Sequence, residues 1–114
     1  QCASESIGSL QYSGSGGQSD TAIGALHAKN GRNVIAVKSV AHTKQGDISA
    51  INAQLPMGSV VTLSRNDIDY IVTEYGIAPM RGRSVRERVD NLIAVAHPDY
   101  REQLRRDARE LLLW

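Results

Sequence analysis

Short runs of apolar residues alternate along this chain with segments rich in glycine, serine, asparagine and aspartate. Three of these runs lie at residues 34–37, 60–63 and 70–73, and each is about four residues long and carries no charge. Unbroken runs of this length are typical of strands covered on both faces of a parallel sheet. The pattern therefore predicts three neighbouring strands in one mostly parallel or mixed sheet.

A helix is predicted between the first glycine cluster and the first strand. Ser19 or Asp20 provides its N-cap, and a left-handed turn at Asn30-Gly31 ends it near residue 29. A loop, a helix and a strand in this order form one limb of an α/β unit. Residues 1–80 are thus predicted to contain a glycine loop and the strands.

The apolar residues between positions 84 and 113 recur at helical spacing. Ser84 and Glu87 have the spacing of a capping box, and Pro98 suits the first position of a second helix. The apolar stripe of the first helix consists of Val85, Val89, Leu92, Ile93 and Ala96. That of the second consists of Tyr100, Leu104, Ala108, Leu111 and Leu112. We expect this helical pair to pack on the sheet, together with the helix near residues 20–29, in an α/β fold.

The length and composition of the chain limit the classes of function that it can have. The chain has 114 residues, 41% of them hydrophobic, which is enough for one domain with a core. A formal net charge of +1 does not indicate nucleic-acid binding, and no apolar run approaches the roughly 20 residues of a membrane span. We therefore expect no nucleic-acid and no membrane partner.

The beginning of the sequence lacks an initiator Met and an apolar signal core, so we interpret it as a piece that starts in mid-domain of a cytoplasmic protein. Cys2 is the one cysteine, and a small buried residue is its expected role. His27, His42 and His97 have no metal-ligand spacing, so no metal site is predicted.

Two segments carry candidate chemistry. Gly14, Gly16 and Gly17 precede the first helix and can expose backbone N–H groups to an anion, although a flexible connecting turn is an equally good interpretation. Glu74 directly follows a predicted strand, where ligands gather in parallel-sheet folds. The plain alternative for Glu74 is a surface carboxylate before a turn.

Longer strings carry a resemblance. The opening "CASESIG", the glycine segment "YSGSGGQSD" and the segment from residue 60 to residue 104, which contains "IVTEYGIAPMRGRS", resemble the C-terminal domain of the acetyl-CoA hydrolase/transferase family. Within the family the 4-hydroxybutyrate coenzyme A-transferase branch is the most similar. The resemblance implies a coenzyme A-transferase-like α/β fold (NagB/RpiA/CoA-transferase-like), of which residues 1–114 form the C-terminal fragment.

The resemblance also implies a reaction. A glutamate in a Thr-Glu motif, upstream of this chain, attacks an acyl-CoA and becomes a glutamyl-CoA thioester, and CoA then passes to a free carboxylate. The acyl-CoA is of the 4-hydroxybutyryl, butyryl or acetyl class, CoA is a substrate, and no permanently bound cofactor is expected. The implied partners are the N-terminal part of the same enzyme and further copies in a homo-oligomer. An acyl-CoA hydrolase, and a non-catalytic CoA- or anion-binding module, stay open as alternatives.

Site residues follow from the matched positions. By the resemblance, the glycines at 14, 16 and 17 hold the thioester oxygen, and Gln18 and Asp20 shape their loop. Glu74, Tyr75 and Gly76 line the cleft beside that loop, with Glu74 in a supporting role and its pKa raised by a second carboxylate. The chain departs from the family where it has Thr21 for an aromatic residue, Lys38 for proline and Ala50 for arginine, so its acyl specificity is expected to differ.

Overall fold

The computed structural model describes residues 2–113, which divide into two compact units. One contains the residues up to Asn33 together with Gln54–Asp69; the other contains Val34–Ala53 and the residues from Tyr70 onward. The helices and strands, in chain order, are β1 (Ser6–Ile7), β2 (Leu10–Gln11), α1 (Gln18–His27), β3 (Val34–Ala36), β4 (Val40–Thr43), β5 (Gly46–Ser49), β6 (Tyr70–Thr73), β7 (Gly76–Pro79), α2 (Val85–Val95) and α3 (Pro98–Glu110).

The first unit contains the β1–β2 hairpin and α1. Helix α1 is where the sequence predicts it, but its start differs from the prediction. Gly17 occupies the N-cap position and no side chain caps the helix, so the predicted cap at Ser19 or Asp20 is wrong. The Thr21 hydroxyl instead donates to the Gly17 carbonyl at 2.9 Å. The predicted left-handed turn after the helix is confirmed, because Asn30 has φ of 59°.

Residues 60–63 do not form a strand of the sheet, and this prediction is wrong. Val60 N–H donates to Ser6 Oγ at 3.0 Å, and the Thr62 hydroxyl donates to the buried carboxylate of Glu5. Leu63 is buried and forms an isolated antiparallel bridge with Cys2. Leu63 packs inside the first unit, whereas Val60 and Val61 are exposed, and a side-chain acceptor takes the Val60 N–H that a strand ladder would have used.

The second unit holds a mixed three-stranded sheet in the order β3–β6–β7, which confirms the predicted α/β class. Strand β3 is parallel to β6, and β6 is antiparallel to β7. The central strand β6 alternates between half-buried and buried positions, whereas Val34 on the edge strand β3 is 50% exposed. Coverage on both faces is therefore wrong for β3. Strand β7 and the antiparallel β4–β5 hairpin were not predicted.

The C-terminal helices confirm the sequence pattern. Ser84 and Glu87 form the predicted capping box at the start of α2, and Pro98 is the first residue of α3. Helix α2 packs on β7 and β6, and α3 packs on α2. The side chains that form this core are Ile71, Ala78, Met80, Ile93, Val95, Ala96, Leu104 and Ala108. The packing of α1 on the sheet stays a prediction.

Candidate functional site

A shallow groove of about 490 Å³ opens at the carboxyl ends of the two parallel strands. Ala36, Val37 and Lys38 line it from the end of β3, and Val72, Thr73 and Glu74 line it from the end of β6. Crevices at this edge of a parallel sheet are the usual ligand sites of α/β proteins. The groove therefore lies where the chain order predicts chemistry, and Glu74 is part of it.

Glu74 is exposed, and its carboxylate is held by one residue. Ser39, which is fully buried, donates its backbone N–H to Glu74 Oε2 at 2.9 Å and its hydroxyl to Oε1 at 2.6 Å. Hydrogen bonds stabilise the charged form of a carboxylate. The Ser39 hydroxyl, followed by the backbone N–H groups of Glu74 and Ser39, holds the pKa of the Glu74 carboxyl below its usual value. Within this chain the expected rise in the Glu74 pKa is wrong.

The turn that carries Glu74 is fixed to the helical layer beneath it. Glu74 and Tyr75 form the two-residue connection between β6 and β7. Gly76 follows with a φ of 140°, which residues other than glycine rarely adopt. The buried Thr73 hydroxyl donates to the Val95 carbonyl at 2.6 Å and accepts from Tyr75 N–H at 3.0 Å. The Thr73 hydroxyl thus joins the turn to the end of α2 and fixes the direction in which the Glu74 and Tyr75 side chains leave the turn.

Tyr75 belongs to a small cluster of aromatic and cationic side chains at the junction of α2 and α3. Its ring meets the His97 ring edge-on with centroids 5.6 Å apart, and the Arg101 guanidinium lies 5.5 Å from the Tyr75 centroid. His97 caps α3 by accepting from Asp99 N–H at 3.3 Å, which confirms its predicted place at a helix end. An electrostatic contribution from His97 also lowers the pKa of Glu74, although less than the Ser39 hydrogen bonds do.

The glycine segment is an exposed loop at the start of α1. A side-chain Cβ added at Gly14, Gly16 or Gly17 would meet no heavy atom within 4 Å, so the backbone there is open to approach. Gly16 has φ of 52°, a left-handed conformation that suits glycine. Gln18 accepts a hydrogen bond from Ser4 Oγ at 2.8 Å, and Asp20 lies in the first turn of the helix.

The predicted site residues thus fall into two groups, one in each unit. Glu74, Tyr75 and Gly76 are brought together on the β6–β7 turn, and Gly14, Gly16, Gly17, Gln18 and Asp20 are brought together at the start of α1. That both groups contact one ligand stays a prediction. Across residues 2–113, no three His, Cys, Asp or Glu side chains come together as a candidate metal site, and no helix is long and apolar enough to span a membrane.

The sequence interpretation missed Ser39 as the partner of Glu74. Its signal was available, because Ser39 follows the first predicted strand just as Glu74 follows the third, and parallel strands end at the same edge. Lys38 departs from the family pattern, but the sequence does not indicate its place in the groove. Thr73 belongs to a predicted strand, and nothing in its neighbourhood indicates a bond to Val95.

Comparison with known proteins identifies the family. Residues 1–108 match the acetyl-CoA hydrolase/transferase C-terminal domain family. The chain is 48% identical over 111 residues to succinyl-CoA:cyclohexane-1-carboxylate CoA transferase of Geobacter metallireducens, covering 97% of this chain and 25% of that protein. It is 48% identical over 104 residues to 4-hydroxybutyrate coenzyme A transferase of Clostridium kluyveri, covering 91% and 24%.

A solved structure agrees with these relatives. RipA from Yersinia pestis superposes with a TM-score of 0.83 at 41% identity, covering 99% of this chain and 25% of RipA. The chain therefore spans about a quarter of the length of the relatives it matches. The resemblance and the CoA-transferase-like fold expected from the sequence are confirmed. This chain belongs to the acetyl-CoA hydrolase/transferase C-terminal domain family.

Proposed function

We propose that this chain is the C-terminal part of a coenzyme A transferase, which moves CoA from an acyl-CoA of the 4-hydroxybutyryl, butyryl or acetyl class to a free carboxylate. Family membership and the CoA-transferase relatives support the reaction class. The observation that carries it within the chain is Glu74, an ionised carboxylate in a groove at the carboxyl ends of two parallel strands.

The proposed reaction develops negative charge on a carbonyl oxygen. A glutamate outside this chain attacks the thioester, the CoA thiolate leaves, and the thiolate then attacks the resulting anhydride to give a glutamyl-CoA thioester and a free acid. Gly14, Gly16 and Gly17 are proposed to donate backbone N–H groups to that oxygen, with Gln18 and Asp20 shaping the loop. Their open backbone at the start of α1 supports this role.

Glu74 is proposed to position groups around the thioester rather than to attack it. Its low pKa keeps it ionised at neutral pH, so it acts as a hydrogen-bond acceptor and a fixed negative charge. Tyr75 and Gly76 share its turn and are proposed to line the same cleft. CoA enters as a substrate, and no permanently bound cofactor has a part in the scheme.

A CoA-exchange assay on the complete gene product tests the proposal and separates it from hydrolysis. The protein is incubated with butyryl-CoA and labelled acetate, and labelled acetyl-CoA and free CoA are measured together. A transferase forms labelled acetyl-CoA without net release of CoA. Release of free CoA that does not depend on acetate would support the hydrolase alternative, and binding of CoA without either product would support a non-catalytic module.

The partners follow from the same proposal. The remainder of the enzyme supplies the nucleophile, and the enzyme is a homo-oligomer. Exposed apolar side chains support further contacts, with Ile7 73% and Ile77 65% exposed in this chain. Light scattering of the complete gene product measures its mass, and a monomer would contradict the oligomer. A cytoplasmic location stays a prediction.

A further inference from the structure

The ring of His97 lies between two tyrosine rings at the junction of α2 and α3. Its centroid is 5.6 Å from that of Tyr75 and 5.9 Å from that of Tyr100, and both pairs meet edge-on. Such pairs are favourable because the positive edge of one ring meets the negative face of the other. Tyr100 is itself held, since its hydroxyl donates to the Asp47 carbonyl of the β4–β5 hairpin at 3.0 Å. Tyr75 therefore contacts a ring that is supported from its other side.

The backbone around His97 is anchored as well. Ala96, the residue before it, is fully buried, and the Ala96 carbonyl accepts from Arg101 Nε at 2.9 Å. The His97 carbonyl accepts from Tyr100 N–H at 3.0 Å, and its Nδ1 accepts from Asp99 N–H at 3.3 Å. These bonds restrict both the backbone and the rotation of the imidazole. His97 is therefore a rigid support for the Tyr75 ring.

Tyr75 transmits this support to Glu74, its neighbour in the two-residue turn. The Tyr75 N–H donates to the Thr73 hydroxyl at 3.0 Å, and the Glu74 carboxylate accepts both donors of the buried Ser39. A shift of the Tyr75 ring would rotate the peptide between the two turn residues and move the carboxylate relative to these donors. Hydrogen bonds weaken steeply when their alignment is lost. The placement of Glu74 thus depends on the contact between Tyr75 and His97.

We propose that His97 is a positioning residue, whose ring holds Tyr75 and through it the turn that places the Glu74 carboxylate in the groove. The inference rests on the proposed transferase function and adds a residue that acts on its site through a neighbour. His97 has two separable features, the ring that contacts Tyr75 and the Nδ1 acceptor that caps α3. The ring serves the reaction, and the cap serves the stability of α3.

Two substitutions separate the ring from the cap. His97→Phe keeps a ring and removes the acceptor, whereas His97→Asn keeps a good N-cap acceptor and removes the ring. In the complete gene product, His97→Asn should lower kcat with butyryl-CoA and acetate about 5- to 50-fold and change KM by less than about threefold, as for a small misplacement of an active-site group. His97→Phe should have the higher kcat of the two variants and the lower Tm. His27→Asn, at an exposed histidine at the end of α1, is the matched control and should change neither kcat nor Tm.

The carboxyl group of Glu74 gives a second readout that does not depend on turnover. Both variants lose the electrostatic contribution of His97, which lowers the pKa of Glu74. Only His97→Asn should also weaken the hydrogen bonds from Ser39, which lower that pKa further. Carbon-detected NMR titration should therefore find a higher Glu74 pKa in His97→Asn than in His97→Phe. Equal values would limit His97 to its electrostatic contribution and overturn the inference.

The kinetics can overturn it too. A kcat that follows the cap, lower in His97→Phe than in His97→Asn, would give His97 a structural role alone, and an unchanged kcat in His97→Asn would remove it from the site. If His97→Phe does not fold, Tyr75→Leu is compared with Tyr75→Leu/His97→Asn. Equal kcat and equal Glu74 pKa are then expected, and a further change in the double variant would contradict action through Tyr75. If the parent turns over no acyl-CoA, the proposed function fails, and the titration of Glu74 decides the inference by itself.

Discussion

At the scale of single residues, the site rests on the pair formed by Ser39 and Glu74. A buried serine donates both its N–H and its hydroxyl to one carboxylate, and these hydrogen bonds stabilise the charged form of Glu74. The sequence placed Glu74 correctly at a strand end. The expected rise in its pKa depends on a second carboxylate, whereas within this chain the parallel pairing of β3 with β6 brings Ser39, 35 residues away, opposite Glu74 and the pKa is lowered.

The Ser39 hydroxyl is predicted to set the pKa of Glu74. Ser39→Ala removes that donor and leaves the backbone N–H, so the pKa of Glu74 should rise toward its usual value. Carbon-detected NMR titration of the glutamate carboxyl groups measures this directly. Ser59→Ala, at a half-buried serine in the other unit, is the control. An unchanged Glu74 pKa in Ser39→Ala would show that the hydroxyl has no such effect.

The hydrogen bonds between Ser39 and Glu74 make the stability of the folded chain depend on pH. Because the folded state lowers the pKa of Glu74, its contribution is present above the usual glutamate pKa of about 4.3 and is lost as the pH falls through the lower folded value. The Tm of the parent should therefore fall more steeply below about pH 4 than that of Glu74→Gln, which does not titrate. Parallel Tm curves from pH 6 to pH 2 would contradict this linkage.

At the scale of elements, the helices were predictable and the strands only partly so. Helices α2 and α3 carry an apolar stripe, a capping box and an N-terminal proline, and these local signals agree with each other. Residues 60–63 carry a strand-like pattern, but the Val60 N–H donates to the Ser6 hydroxyl instead of to a neighbouring strand. Strand β7 is four residues long with glycine and proline at its ends, and its pairing follows from the tight turn before it. Propensity does not reveal such a strand.

The capping box at the start of α2 is predicted to stabilise the second unit. Ser84 Oγ accepts from Glu87 N–H at 3.3 Å, and Glu87 accepts from Ser84 N–H at 2.8 Å, which lowers the pKa of Glu87. Ser84→Ala should lower the free energy of unfolding by about 1 kcal/mol, measured by urea denaturation. Ser84→Asp keeps an N-cap acceptor and should recover most of the loss. Equal stability of the alanine variant and the parent would contradict this role.

At the scale of the whole molecule, the candidate site residues form two groups, one in each unit of a chain that spans about a quarter of the length of its relatives. The resemblance could assign both groups of residues to one reaction because it compares whole strings. Residue chemistry alone could not join them, since Gly17, the last glycine of the segment, and Glu74 are 57 positions apart and belong to different units. The nucleophile implied by the resemblance lies outside the 114 residues.

The isolated chain is therefore expected to have no CoA-transferase activity. These 114 residues, purified alone, are expected to form no labelled acetyl-CoA from butyryl-CoA and labelled acetate, because they lack the attacking glutamate. The complete gene product is the positive control in the same assay. Exchange by the purified chain above the rate without protein would contradict the assignment of the nucleophile to another part of the enzyme.

The central claim is that Glu74 serves the transfer reaction without attacking the substrate, and one variant tests it most directly. In the complete gene product, Glu74→Gln removes the charge, keeps the shape, and should lower kcat about 10- to 1000-fold with an unchanged circular dichroism spectrum. Glu74→Asp keeps the charge on a shorter side chain, and its kcat should lie between those of the parent and of Glu74→Gln. Glu102→Gln, on the exposed surface of α3, is the control. A Glu74→Gln enzyme with kcat within twofold of the parent would contradict the claim and leave Glu74 a surface carboxylate.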